Sequence, residues 1–385
     1  MQALQKIKIV VAGGGTGGHV FPGIAILKAL ERHAPIDVLW IGTGRPVEQT
    51  ALQDTGYNLK VLSVKPLKGR SPSAILKALF GLPISILKAA ILLLKFRPNV
   101  VLGVGGYVAG PVLMAAKGLH IPTAIHEQNM IPGLANKLAA KFVDKIFVSF
   151  PGSEKYFPKK EVIVTGNPIR SDLLEQAAVS PPASTNSKRI LVLGGSQGAR
   201  GINEMVTSAL ISIWNSGQKI SVLHQTGQTD FEWVRTKYDE AGVPAQVKPF
   251  LHNMGAHLGW ADLVIARAGA GTVSELAAVG KPSLLIPYPH AASGHQDANA
   301  EYLASQGAAL VFKEGETGAV KLASAIQALL DDPDKLQDMA ERAKTLGRVD
   351  SADVIAKELL DLLKKKAKKQ IVPLRIKQGL KKSHV

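Results

Sequence analysis

The first residues along the chain whose types and spacing suit chemistry are GGGTGGH, Gly13 to His19. Gly13, Gly15 and Gly18 satisfy G-x-G-x-x-G. A loop with so few Cβ atoms brings backbone amides and a helix N-terminus up to a phosphate or diphosphate. His19 follows the loop, at the amino end of a helix expected from about Val20. There the helix dipole disfavours a second positive charge, so the imidazole should stay neutral and basic. Holding a diphosphate or capping the loop are the other tasks open to it. GVGGYVAGP (Gly103–Pro111) and GGSQGAR (Gly194–Arg200) are two further loops of this kind. Three of them suit two phosphorylated ligands better than one cofactor.

Two other stretches offer different chemistry. HEQNMIPGLANK (His126–Lys137) ends an apolar strand and gathers acid and amide side chains suited to sugar hydroxyls. ARAGAGTVSELAAVGKP (Ala266–Pro282) reads as a strand, a small-residue loop and a helix with Glu275 in its first turn. A carboxylate there can accept from both hydroxyls of a ribose. Thr272-x-x-Glu275 equally fits a capping box. PHAASGHQDANA (Pro289–Ala300) adds Gln296 and Asn299.

A dinucleotide site would need an acid at the end of the second strand. Here VLWIGTGRPVE ends that strand with Gly42, Thr43 and Gly44, and Asp37 stands at its start. Arg45 leaves a weak opening for a 2′-phosphate only, so no nicotinamide cofactor is expected. With no cysteine there is neither a disulfide framework nor a thiolate metal site. The D-x-D at Asp332–Asp334 follows LLD at a helix start, where capping explains it better than Mg²⁺. No metal is expected.

Positioning these residues takes alternating strands and helices. Strands are predicted at Lys6–Ala12, Asp37–Ile41, Val100–Val104, Thr123–His126 and Lys145–Val148, with helices between them. After the Pro/Ser/Asn-rich AAVSPPASTNSK, residues 177–188, KRILVLGGSQGARGINEMV restarts the strand–glycine–helix pattern. Strands follow at Ser221–Leu223, Ala245–Val247, Leu263–Ala266, Ser283–Ile286 and Ala309–Phe312, and a last helix over Ala352–Lys366 is capped by Asp350 or Ser351. A chain of 385 residues suits two domains. The expectation is an α/β protein of two Rossmann-like doubly wound domains facing across a cleft that holds the ligand.

The net charge of +16 is concentrated in two places. Thr55 to His126 holds nine Lys or Arg and no acid, and Lys364 to Val385 holds nine more, again with no acid. Together they exceed the whole net charge, so the partner should be an anionic surface, nucleic acid or acidic lipid. A solvated face and a disordered tail are the plainer alternatives. Only Phe80 and Phe96, with Tyr57 and Tyr107 at the ends, could stack on bases, which argues against nucleic acid. AILKALFGLPISILKAAILLLK (Ala74–Lys95) is interrupted by Lys77, Pro83 and Lys88, too often for a membrane span. It reads as two short amphipathic helices broken at Gly81–Pro83. Their apolar faces are either core or an interfacial patch built on Ile75, Leu79, Phe80 and Leu82. MQALQ is no signal region, so a cytoplasmic location is expected.

GGGTGGHVFPGIA, GGYVAGP, HEQNMIPGLANK, GNPIR, LGGSQGARGIN, RAGAGTVSE and HQDANA occur in this order. Over roughly residues 6 to 365 the chain thereby resembles the MurG family, the lipid I N-acetylglucosaminyltransferases of peptidoglycan synthesis. These are two-domain GT-B glycosyltransferases of family 28. The resemblance implies transfer of GlcNAc, with inversion, from UDP-GlcNAc to undecaprenyl-diphospho-MurNAc-pentapeptide. It implies a peripheral enzyme on the cytoplasmic side of the inner membrane, with anionic lipid as partner and room for other cell-wall synthesis proteins. The domains would be residues 1–166 for acceptor and membrane, 167–349 for donor, a helix at 350–366 packed back on the first, and a basic tail at 367–385.

The residue roles come from the same resemblance. Glu275 would hold the ribose, with Ala270, Gly271, Thr272, Val273 and Ser274 against the diphosphate and nucleoside. The Leu251 backbone would meet uracil, Ser196 and Arg170 the phosphates, and Asn129 and Gln296 the GlcNAc hydroxyls. Thr16, Gly17 and Gly18 would line the cleft, and Gly105, Gly106 and Tyr107 would face the acceptor. His19 would be the catalytic base. Ala268 replaces the family's usual Ser, and Gly294 a common Asp. A UDP-GlcNAc 2-epimerase on the same fold is the alternative enzyme, and would not need the apolar basic patch.

Overall fold

The computed structural model describes residues 6–64, 72–158, 160–179, 187–195, 198–316 and 318–379, without the side chains of 72–80, 292 and 367–379. The chain divides into two units: Met1–Gln128, Pro132–Pro168 and Asp350–Val385 form unit 1, and Asn129–Ile131 with Ile169–Val349 form unit 2. Unit 1 runs β1 (Ile7–Gly13), α1 (Gly17–His33), β2 (Ile36–Gly42), α2 (Pro46–Gln53), β3 (Asn58–Val61), α3 (Pro72–Phe96), β4 (Val100–Gly105), α4 (Ala109–Gly118), β5 (Thr123–Glu127), α5 (Leu134–Ala139), β6 (Lys145–Val148) and β7 (Val162–Val164). Unit 2 runs α6 (Ser171–Ala178), β8 (Lys188–Leu193), α7 (Arg200–Asn215), β9 (Ile220–Gln225), α8 (Phe231–Ala241), β10 (Ala245–Lys248), α9 (Met254–Trp260), β11 (Leu263–Ala266), α10 (Ala270–Val279), β12 (Ser283–Leu285), α11 (His295–Ala304), β13 (Ala309–Val311), α12 (Ala319–Leu330) and α13 (Pro333–Leu346). The final helix, α14 (Ser351–Gly379), returns to unit 1.

Both sheets are wholly parallel, ordered β3-β2-β1-β4-β5-β6-β7 and β10-β9-β8-β11-β12-β13. Each has its first strand third in order and reverses direction of winding there, as in doubly wound folds. The alternation of β1 builds two layers. Val10 and Ala12 join a core with α3 and α4, while Ile9 and Val11 face α1 and α14 on the other side. Every one of these four is fully buried, which is why both faces of the strand are apolar.

Two strands escape the sequence pattern. β3 is NLKV and mostly exposed, and β7 is VIV and only half-buried; both sit at sheet edges, where burial imposes no clear alternation. The segment expected as two helices is one, α3, which runs through Pro83. Pro83 is exposed, so its ring meets solvent, and Ser85 Oγ donates to the Gly81 carbonyl on the same turn. α14 likewise extends beyond the expected Lys366. Ile355, Ala356, Leu359 and Leu362 lie on one helical face and complete the α1 layer, and Ser351 Oγ donates to the Gly166 carbonyl at 2.8 Å. No helix among the described residues is long and apolar enough to cross a membrane.

Candidate active site

In unit 1 the chemistry gathers where β1 and β4 end side by side, with Gly13 paired to Gly105. α1 starts at Gly17, earlier than expected, so His19 lies within its first turn. Its Nδ1 sits 3.0 Å from the Gly14 carbonyl and 3.3 Å from Thr16 Oγ1. A carbonyl only accepts, so Nδ1 is the nitrogen that donates to it. A Cβ on Gly105 would lie 2.6 Å from the imidazole Cδ2, and one on Gly106 would lie 2.7 Å from the Gly14 oxygen. Both glycines also have positive φ, +103° and +83°, so β4 must end in residues without side chains for the ring to fit. Tyr107 follows them, about half exposed.

The expected phosphate cradle is partly filled by the protein itself. Glu48, in the first turn of α2, is fully buried. Its carboxylate accepts from the amides of Gly15 at 2.6 Å, Thr43 at 2.8 Å and Gly44 at 2.8 Å, and from the Thr43 hydroxyl. Gly15's amide is therefore not bare. Arg45 Nη1 donates to the Gly15 carbonyl at 3.1 Å, fastening the loop from its other side. Glu48 was not singled out from sequence, although it is the acid that the strand end itself lacks.

The HEQN motif is also largely internal, against the expectation of sugar contacts. His126, Glu127 and Gln128 are all buried. Glu127 takes the Gly133 amide at 3.1 Å and Asn136 Nδ2 at 2.8 Å, while Gln128 Nε2 reaches the Val104 carbonyl at 2.9 Å. Burial holds the His126 pKa down to about 4. Only Asn129 goes on into unit 2.

In unit 2 the glycine loop after β8 ends at α7, and Ser196 lies outside the described residues, as does Gln197. Gly198, at φ +78°, leaves no room for a Cβ, which would stand 2.7 Å from the Thr226 carbonyl. Asn203, missed from sequence, ties α7 to the next strand: its Nδ2 donates to Thr226 O at 2.9 Å and to Asp230 Oδ2 at 2.8 Å. Its Oδ1 faces His224 Nε2 at 3.2 Å, and Tyr238 Oη lies 3.1 Å from His224 Nδ1. Burial keeps that imidazole neutral, with its pKa lowered to about 3.

β11 leads to Arg267, Ala268 and Gly269, and Gly269 is the N-cap of α10. Thr272 and Glu275 are thus inside the helix, and the capping-box alternative falls. Glu275 is mostly buried, one turn further in than expected, and burial pushes its pKa up to about 7; Arg170 works against the rise and Asp172 adds to it. Val273 is the buried residue of that turn, whereas Gly271, Thr272 and Ser274 keep partial exposure; Ala270 is buried. Arg170 is the N-cap of α6, its Nε 3.6 Å from Asp172. Arg267 was also missed, though a lone cation among small residues was a signal. It donates to the carbonyls of Ile286 and Pro287, both at 3.1 Å, and pairs with Glu314 at 2.6 Å.

Asn299, fully buried, organises the rest. It donates to the Ala268 carbonyl at 3.1 Å and to Asn129 Oδ1 at 3.2 Å, and accepts from the Met130 amide at 2.9 Å. Gln296 accepts from the Tyr288 amide at 2.9 Å. The Leu251 amide is already taken by Gln225 Oε1 at 3.0 Å, so a base there would meet the carbonyl or displace that side chain. Ser293 and Gly294 both sit at positive φ, +59° and +66°, a backbone reason for glycine at 294. Asp332 caps α13 by accepting from the Lys335 amide at 2.9 Å.

One more surface belongs to unit 1. Ala89 and Leu93 turn one side of α3 into the core, while Ile84, Leu87, Ile91 and Leu94 stand about 60% exposed at helical spacing on another. Lys88 and Lys95 flank them, exposed. Of the four patch residues expected from sequence, Ile75, Leu79 and Phe80 lie outside the described side chains, and Leu82 is half-buried.

Two doubly wound units in one chain are the build of the GT-B class of sugar-nucleotide glycosyltransferases. Residues 9–148 match the glycosyltransferase family 28 N-terminal domain and residues 189–355 its C-terminal domain. The chain belongs to glycosyltransferase family 28. It is 43% identical, over 92% of its length and 98% of the relative's, to the UDP-N-acetylglucosamine–N-acetylmuramyl-(pentapeptide) pyrophosphoryl-undecaprenol N-acetylglucosamine transferase of Geobacter sulfurreducens. It is 42% identical to the protein of that name in Myxococcus xanthus, over 93% of both chains. The crystal structure of MurG from Acinetobacter baumannii matches with a TM-score of 0.74 at 30% identity, covering 93% of this chain and 99% of that one. A UDP-GlcNAc 2-epimerase from Neisseria meningitidis, at 15% identity and a TM-score of 0.66 over 93% of this chain and all of that one, shares the fold alone.

Proposed function

We propose that this chain transfers GlcNAc from UDP-GlcNAc to the 4-hydroxyl of the MurNAc unit of undecaprenyl-diphospho-MurNAc-pentapeptide, with inversion, in peptidoglycan synthesis. The observation that supports the chemistry is the His19 Nδ1 contact with the Gly14 carbonyl, 3.0 Å, which suits Nε2 to accept a proton. Nε2 takes the proton of the acceptor hydroxyl as its oxygen bonds the anomeric carbon of GlcNAc. The bond from that carbon to the diphosphate breaks, and the electron pair leaves with UDP. Arg170, the Ser196 hydroxyl and the N-terminus of α10 stabilise the departing charge.

On the donor, Glu275 accepts from the ribose hydroxyls, Leu251 meets uracil through its backbone, and Asn129 and Gln296 bind the GlcNAc hydroxyls. Ala270, Gly271, Thr272, Val273 and Ser274 let the diphosphate and nucleoside approach. Thr16, Gly17 and Gly18 line the donor cleft at the first glycine loop, and Gly105, Gly106 and Tyr107 serve the acceptor. The exposed α3 stripe with its lysines supports peripheral docking on the anionic cytoplasmic face of the inner membrane, where the lipid-linked acceptor lies.

The test is incubation with radiolabelled UDP-GlcNAc and a lipid I analogue, with and without EDTA. Labelled disaccharide product is expected; epimerised UDP-GlcNAc without acceptor would select the epimerase instead. His19→Asn keeps a donor but cannot take the proton, so kcat should fall about a hundredfold or more with little change in donor KM. Near-normal kcat would remove His19 from the chemistry.

A further inference from the structure

Glu48 and His19 contact the two ends of one peptide group. The Gly14–Gly15 peptide gives its N–H to Glu48 Oε1 at 2.6 Å, and its carbonyl lies 3.0 Å from His19 Nδ1. A carboxylate accepting from the N–H draws the peptide's dipole toward itself and makes the carbonyl a better acceptor, since chained hydrogen bonds polarise one another. The hydrogen on Nδ1 is thus favoured from behind. Which imidazole nitrogen carries its hydrogen is set by the bond the other atom makes.

We propose that Glu48 is a positioning residue for the transfer: through the Gly14–Gly15 peptide it holds His19 in the Nδ1–H tautomer, with Nε2 left to accept the proton. It rests on the reading of His19 as the base. Its support is the construction around the carboxylate. Two further amides, Thr43 and Gly44, and the Thr43 hydroxyl hold Glu48, so it has no freedom to turn away from the loop. Gly14 and Gly42 lie so close to its oxygens that a Cβ on either would overlap them. Glu48 itself is fully buried, so its own end of the chain of bonds is shielded from water. A carboxylate thus stands where a dinucleotide-binding loop would hold phosphate, and the negative charge serves the base instead of a ligand.

The experiment uses the full chain labelled with ¹⁵N-histidine, His19 being assigned by its loss in His19→Asn. Wild type should show the neutral Nδ1–H tautomer. Glu48→Gln places an NH₂ among backbone amides, so at least one bond is lost. The Nε2–H tautomer should then become populated, and kcat should fall between about ten- and a hundredfold, as when partners that orient other histidines are removed. Donor KM should stay within about twofold, and circular dichroism should be unchanged. In the double variant with His19→Asn, removing Glu48 should cost nothing more. An Nε2–H tautomer in wild type overturns the proposal, and that measurement does not depend on Glu48→Gln folding. So does an unchanged tautomer in Glu48→Gln, or losses that multiply in the double variant. His19→Asn at near-normal kcat would strike the base assignment alone, because the tautomer is read without turnover.

Discussion

Glu275→Gln should make the protein more stable and a worse enzyme, and both effects can be sized. Burial moves this carboxyl from its ordinary 4.5 to about 7, despite the pull of Arg170. A folded-state pKa above the unfolded one means the native state holds a proton that the unfolded chain releases. Stability is therefore unaffected below about pH 4.5, declines as pH rises toward 7, and levels off above it at a cost of up to about 3 kcal/mol. Glutamine carries no charge to desolvate, so the variant should match wild type near pH 4.5 and gain about 2–3 kcal/mol by pH 8. Urea unfolding followed by tryptophan fluorescence from pH 4.5 to 8.5 reads this well, because Trp214, Trp233 and Trp260 all lie in unit 2. The same carboxylate, ionised, is the acceptor assigned to the ribose. Isothermal titration with UDP-GlcNAc at pH 8 should show a Kd raised about ten- to a hundredfold in the variant. Below pH 7 wild-type affinity should fall toward tenfold per unit, while the variant stays flat. Equal stability at every pH together with an unchanged Kd would refute both the desolvation and the binding role.

The remaining predictions concern surface and core. Replacing Leu87 and Ile91 by serine should reduce association with anionic liposomes while soluble-acceptor turnover persists, since both side chains are exposed on α3. The unfolding midpoint should shift by no more than about 0.5 kcal/mol per site, and undiminished liposome binding would place the docking surface elsewhere. Leu359→Ala empties a position in the α1–α14 layer that is 1% exposed, and should cost about 2–5 kcal/mol in urea unfolding. A loss below about 1 kcal/mol would mean that α14 contributes little to unit 1.

Strand–glycine–helix repeats specify the doubly wound units because the backbone chemistry is local: β1 must be apolar on both faces, and a glycine loop must follow to turn into α1. The same locality makes the Asp332 cap readable, since it is defined by neighbours within a few positions. β3 and β7 were not readable, since edge strands are barely buried and leave no pattern. The unbroken path of α3 through Pro83 depended on which side of the helix the ring would face, and that is decided by the core it packs on. Folding also chose which polar residues of a motif point inward. His126, Glu127 and Gln128 looked like ligands for a sugar and are internal struts, whereas Asn203, Arg267 and Asn299 hold loops that lie far away in sequence. Glu48 is the sharpest case: 33 residues separate it from Gly15, and no spacing rule joins a helix acid to a glycine loop. Only the parallel pairing of β1 with β2 brings their ends together, so that one carboxylate can satisfy both loops at once.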